Sequence, residues 1–256
     1  MRRVVPVREM VRRAARLAVI TVTATVISAA CPSRAPAQVV LAMLFGDKLA
    51  SDNFNIGLEI GMNLANVTDL SGAAFARGTL FGLFGSWRFS EHYHLFTGLI
   101  PLSAKGAKDA DPIPLNDAAL DPLIVGGKME RNLGYLDIPV LVQWAQHRDG
   151  GIRVGAGPQL GILLSANDRY AGTTPQGTST VVENDIEQSI ERFDGGVAFD
   201  AEYRIPGLGI GIGVRYYQGL TDILRGSGPS LHNQVLSGSG RITLGGRKPK
   251  KAPEPE

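Results

Sequence analysis

From residue 53 onward this chain repeatedly alternates apolar residues with small or polar ones, over segments long for a strand. Every second residue of a pleated strand faces the same side, so such alternation demands strands with one apolar face. In the first segment Phe54, Ile56, Leu58, Ile60, Met62 and Leu64 share a face, and Asn55, Gly57, Glu59, Gly61 and Asn63 share the opposite one. In Gly195–Ile205, Val197, Phe199, Ala201, Tyr203 and Ile205 oppose Ala198, Asp200, Glu202 and Arg204. The same pattern places strands over Thr79–Ser90, Tyr93–Lys105, Asn132–Gln146, Ile152–Ser165, Leu208–Gln218 and Asn233–Leu244. In Tyr93–Lys105 it is weakest, with Leu95, Leu99 and Pro101 on the apolar side.

Eight segments result, most of roughly 11–15 residues, against about 5–6 for an average strand. A tilted strand needs about 9–11 residues to cross the hydrocarbon of a membrane. The connections alternate in length. Short turns fall near Ser90–His92, His147–Gly151 and Pro206–Gly207, and long ones span Asn66–Gly78, Gly106–Arg131, Ala166–Arg192 and Leu220–His232. Outer-membrane barrels have this asymmetry, with short periplasmic turns and long extracellular loops. The expected fold is therefore all-β, an eight-stranded antiparallel up-and-down transmembrane β-barrel with both termini in the periplasm.

Periodicity alone does not say which face is inside, and a soluble barrel with an inward apolar face has the same period. The composition of the other face favours the membrane form. It is mostly Gly, Ser and Ala with isolated charges, which suits the narrow interior of an eight-stranded barrel. Buried charges need partners. The expected lumen network matches Glu59, Asp137, Asp200 and Glu202 against Arg88, Arg153, Arg204, Arg215 and Arg241. Trp87, Phe89, Tyr93, Trp144 and Tyr203 sit beside the short turns, where an interfacial aromatic girdle belongs.

The N-terminus reads as a secretory signal over residues 1–37. Its n-region is arginine-rich, Leu17–Ala30 is apolar, and Ala35-Pro36-Ala37 resembles a cleavage site. Residues 38–52 read as a periplasmic leader, 53–246 as the barrel and 247–256 as a disordered tail rich in Lys and Pro. Cys31 is the only cysteine. It precedes the cleavage site, so disulfides and thiolate chemistry are not expected of the mature chain, and lipidation at Cys31 is the alternative reading.

Several short motifs, in order, carry a family resemblance. Gly57-Leu58-Glu59-Ile60-Gly61-Met62-Asn63-Leu64-Ala65-Asn66 resembles the first strand of PorT-like outer-membrane β-barrel proteins. Tyr135-Leu136-Asp137-Ile138-Pro139-Val140-Leu141 is similar to a strand of that family opening on Tyr-Leu-Glu-Ile-Pro, with Asp137 in place of the glutamate. Gly155-Ala156-Gly157-Pro158 and Arg215–Ile223 resemble its later strands. The resemblance implies a barrel of the cell envelope; one branch of the family assists protein secretion.

No constellation points to catalysis. Of the four histidines, His92, His94 and His147 lie by short turns; only His232 has Ser230 and Asp222 nearby in a long connection, and sequence proximity alone makes no triad. Asp109, Asp111, Asp117 and Asp121 share a long connection but lack EF-hand spacing. Gly209-Ile210-Gly211-Ile212-Gly213 lies in a strand and opens no helix, unlike a phosphate loop. The chain is thus expected to be a non-enzymatic barrel of the bacterial outer membrane, without cofactor or metal. It is expected to contact outer-membrane lipid and envelope partners through its long loops, and not nucleic acid. The alternatives are a narrow small-solute channel and a membrane-embedded hydrolase.

Overall fold

The computed structural model describes residues 53–115, 126–148, 150–173, 179–226 and 230–244. The signal, the leader, Cys31 and the tail lie outside them. Nine strands are described: β1 (Phe54–Thr68), β2 (Ala76–Arg88), β3 (Tyr93–Ala110), β4 (Lys128–Ala145), β5 (Gly151–Thr173), β6 (Ser179–Asp185), β7 (Phe193–Arg204), β8 (Ile210–Gly219) and β9 (His232–Leu244). Every pairing is antiparallel. β1 joins β2 and β9, and pairing of β4 with β5 closes a ring of eight strands. Closure leaves the ring no free edge, which is what a sheet needs to cross lipid.

β6 is the ninth strand and a correction to the loop expected over Ala166–Arg192. β5 is unusually long. Its first half pairs with β7 as far as Ile162, and its last residues, from Asn167, pair with β6 instead. A β5–β6 hairpin therefore stands beyond the ring. Two neighbours also run further than expected, β3 to Ala110 and β4 from Lys128, which shortens the Gly106–Arg131 connection. Leu208 falls in the β7–β8 turn rather than on β8. Pro206 and Gly207 occupy its centre, Gly207 at φ 76°, and the Leu208 N–H bonds the Ile205 carbonyl at 3.3 Å. That is the residue choice of a type II turn.

The apolar face points outward. Met62, Val142, Leu164, Phe199, Ile212 and Val214 are among its residues, with Ile212 65% exposed. A wall so apolar and so exposed is stable only where lipid covers it. The inward face holds Glu59, Asn63, Arg153, Asp200, Arg215 and Arg241, all buried.

Bulges interrupt the alternation. An extra residue on β3 between Ile100 and Ser103 moves the inward face from His94, Phe96, Gly98 and Ile100 to Ser103, Lys105 and Ala107. One extra residue on β5, at Leu164, does the same and turns Ala166, Asp168 and Tyr170 inward. A single inserted residue flips every later side chain, because the strand period is two. At the long-loop end Ile186 and Ile190 from the β6–β7 connection meet Ile223 and Leu231 from the β8–β9 connection, packed with Val67, Leu133 and Tyr135. A backbone bridge between Ile190 and Leu224 ties the two connections together.

Candidate functional site: a charged lumen

Strand pairing sets the central charge cluster. Arg241 on β9 is opposite Glu59 on β1, and Arg215 on β8 is opposite Asp200 on β7. The Arg241 guanidinium donates to Glu59 Oε1 from Nε at 3.0 Å and from Nη2 at 2.9 Å. Its Nη1 reaches Asp200 Oδ2 at 2.9 Å and Glu202 Oε2 at 3.4 Å, and its Nη2 also donates to Asp200 Oδ1. Arg215 donates to Glu59 Oε2 and to Asp200 Oδ1, both at 3.2 Å. The Ser239 hydroxyl at 2.8 Å and the Gln143 amide at 2.9 Å complete the shells of Glu59 and Asp200. Below, Phe84 stacks on Phe96 at 5.5 Å, and the Arg241 and Arg215 guanidiniums lie 4.8 and 5.2 Å from the Phe96 ring. Two buried arginines thus each bridge carboxylates and each find an aromatic face, which is how buried charge is tolerated.

The other expected network members divide. Arg204 donates to Glu202 Oε1 at 3.1 Å. Arg153 lies opposite Glu202 across the β5–β7 pair, but its Nε and Nη1 have no hydrogen-bond partner. Arg88 sits at the end of β2 and donates to Asn53 at 2.6 Å, away from the central carboxylates. Asp137 joins a second cluster that the sequence reading did not contain. Lys105 Nζ is 2.9 Å from Asp137 and 3.1 Å from Asp194. The same ammonium lies 4.5 Å from the Tyr135 ring and 4.4 Å from the Tyr217 ring. Tyr217 and Asn233 donate to Asp194 at 2.8 and 2.9 Å. Nearer the long-loop end, Arg131 grips Asp168 with two bonds of 2.8 and 2.7 Å.

These omissions have physical causes. The β3 bulge reverses the facing of Lys105, and Arg131 and Asp168 belong to strand extensions that read as connections. Asp194 lies one residue before the alternation used to begin that strand.

Trp87, Phe89, Tyr93, Trp144 and Tyr203 are all exposed on the outer wall near short turns. The Phe89 ring lies 6.3 Å from both Trp87 and Tyr93, and Tyr93 pairs with Trp144 across β3–β4.

The His232 constellation is loop architecture. His232 Nδ1 contacts the Thr221 carbonyl at 2.9 Å and Nε2 contacts Ser230 Oγ at 3.3 Å. The Asp222 carboxylate accepts the Leu224 and Leu231 N–H groups at 2.9 and 3.1 Å instead of orienting the imidazole. Those two N–H donors, Leu224 first, hold the Asp222 carboxyl below the usual aspartate range. Asp111 is also held low, by the Ser71 hydroxyl and then by Lys128. Among the described residues, no three His, Cys, Asp or Glu side chains are grouped to hold a metal.

Residues 45–225 match a family model described as an outer membrane protein beta-barrel domain. Among solved structures, the attachment invasion locus protein Ail of Yersinia pestis matches at 10% identity, covering 75% of this chain and 99% of that one, with a TM-score of 0.37. Neisserial surface protein A matches at 12% identity, covering 75% and 97%, with a TM-score of 0.36. OprG of Pseudomonas aeruginosa matches at 12% identity, covering 75% and 93%, with a TM-score of 0.36. No curated protein matches the chain.

Proposed function

The chain belongs to the outer membrane protein β-barrel domain family, and on that premise we propose that it is a non-catalytic barrel of the bacterial outer membrane that binds a protein partner through its long-loop end. The observation that carries this reading is the β5–β6 hairpin. It stands beyond the ring, and β6 pairs with β5 alone among the described strands. The Ile186 N–H bonds the Ala166 carbonyl at 3.1 Å, so by antiparallel alternation the even-numbered residues of β6 bond to β5. The backbone groups of Val181 and Glu183 then face an edge that no other described strand covers, ready to pair with an added strand. Orientation follows the usual rule that long loops lie outside the cell. The PorT-like likeness of the Glu59 and Asp137 strands supports a role beside envelope machinery, secretion included.

Two proline variants test the reading. Val182→Pro removes an N–H committed to β5 and should unpair the hairpin; Glu183→Pro leaves the β5–β6 ladder intact and blocks an added strand. A photo-crosslinker at Asp185 in intact cells should give one protein adduct that both variants abolish. Adduct formation unchanged by either variant would exclude edge pairing.

A narrow conducting path is the second reading. Charged side chains extend from Arg204 through Arg241 to Lys105 and Arg131, inside the ring. Asp200 and Arg204, both members of the expected network, do not bond each other; Arg241 is the common partner of Glu59, Asp200 and Glu202. Arg241→Gln should therefore raise single-channel conductance in planar bilayers if the network is a gate. Silence from both wild type and variant would remove the channel.

A further inference from the structure

The charges of the lumen are unevenly distributed. Toward the short turns, Arg153, Arg204, Arg215 and Arg241 face, among the described residues, only the carboxylates Glu59, Asp200 and Glu202. Those carboxylates are already shared by Arg241, Arg215 and Arg204. Arg153 is 2% exposed, with two unbonded guanidinium nitrogens. It lies within electrostatic reach of Arg204, Arg241 and Arg88 as well as Glu202. A guanidinium taken out of water among like charges requires acceptors that the surrounding side chains do not supply.

Two further buried atoms at this level are unbonded. His94, also 2% exposed, contacts Ser86 Oγ through Nδ1 at 3.4 Å, while its Nε2 has no partner. With the Ser86 hydroxyl donating, Nε2 carries the ring proton and is a donor. Gln143, paired with His94 across β3–β4, spends its amide N–H on Asp200, and its Oε1 is unbonded. The unmatched set is therefore three donors and one acceptor. Arg153 and His94 lie within two residues of a strand end at a short turn, and Arg204 ends β7.

We propose that the short-turn end of the lumen is a binding site for a protonated oxyanion of the hydrogen-phosphate type. Arg153 and His94 donate to its oxygens, and Gln143 Oε1 accepts its hydroxyl. The planar guanidinium fork matches the spacing of phosphoryl oxygens, and neighbouring Arg204 adds positive potential. The chemistry is common to free phosphate and to phosphate monoesters. This site is independent of the partner edge on β6 and stands or falls separately from it.

The test is a titration of the full chain in detergent micelles, following the His94 ring and Arg153 Nε–H signals by NMR. Inorganic phosphate is exchanged for chloride at constant ionic strength, with glycerol 3-phosphate in a parallel arm. Saturable shifts with a midpoint below about 10 mM are expected. Tighter binding of inorganic phosphate identifies the free ion as ligand; tighter binding of the ester identifies a monoester. Arg153→Gln should weaken the preferred ligand at least tenfold, and Arg77→Gln, on the outer wall, should leave it unchanged. Arg153→Lys, which keeps the charge and loses the fork, should also weaken it and serves if the glutamine variant does not fold. No saturation in the wild type, or equal binding by the wild type and both Arg153 variants, would overturn the site.

Discussion

Arg241 is the residue on which the lumen depends most. It is fully buried and, among the described residues, is the only group bonded to Glu59, Asp200 and Glu202 together. Removing one partner of a buried ionic network leaves uncompensated charge and costs about 3–5 kcal/mol. Arg241→Met should lower barrel stability by that order in urea unfolding from lipid vesicles. An exposed pair such as Lys128 with Asp111 should show little change on substitution, because water already screens it. Asp222 makes a different residue-level prediction. Its carboxylate ties the Leu224 and Leu231 N–H groups into the β8–β9 connection, and its native pKa lies below the unfolded value. A depressed pKa stabilises the folded state above the unfolded value of about 3.9, and the contribution is lost as pH falls through the native value. The Leu224 and Leu231 amide signals should therefore be constant from neutral pH down to about 4 and titrate only below about 3.9. A midpoint at or above that value would show that these bonds do not stabilise the ionised carboxylate.

At the scale of the element, the bulges decide what the outer half of the lumen contains. Leu164 is the extra residue of β5 opposite the Gly134–Tyr135 step of β4. Deleting it closes the bulge: Leu163 and Ser165 then alternate opposite Tyr135 and Gly134, and Asp168 and Tyr170 keep their inward facing. Deleting Leu164 and Ser165 together removes one residue more than the bulge supplies, so Asp168 would face outward, its bidentate bond to Arg131 would be lost, and Tyr170 would leave the interior. The double deletion should abolish the heat-dependent gel shift of the folded barrel, whereas deletion of Leu164 alone should retain it. A double deletion that still shifts would mean that the hairpin re-registers without the lumen contacts. The same logic explains the weak alternation in Tyr93–Lys105. A bulge in mid-strand mixes two phases, so Pro101 and Leu102 both face outward while the residues flanking them, Ile100 and Ser103, are both buried.

At the scale of the molecule, an outward apolar band and a closed ladder produce a protein that folds in lipid. It should fractionate with the outer membrane and migrate faster unboiled than boiled. Protease added to intact cells should cut only in the connections at the long-loop end. Cuts at the Pro206–Gly207 turn in intact cells would reverse the orientation. The strands themselves were legible from sequence because a two-residue period, sustained over a membrane's thickness, is the geometry of a long pleated strand. The period left the facing open, and the small and charged composition of the second face placed the apolar face outward. Glu59, Asp200, Glu202, Arg215 and Arg241 could be read as lumen residues because no bulge interrupts their strands between the aligned positions. Only the tertiary structure decided which charge meets which, since strand order in the ring brings β1, β7, β8 and β9 side chains to one point. It also decided the place of Lys105, Asp194, Arg131 and Asp168, because one inserted residue reverses facing without changing composition. The β5–β6 hairpin was likewise outside the reach of the pattern. Its inward side is still buried, with Val182 packed against the cluster of Tyr170, but its outer side meets water rather than lipid, so the apolar alternation that lipid imposes is no longer required.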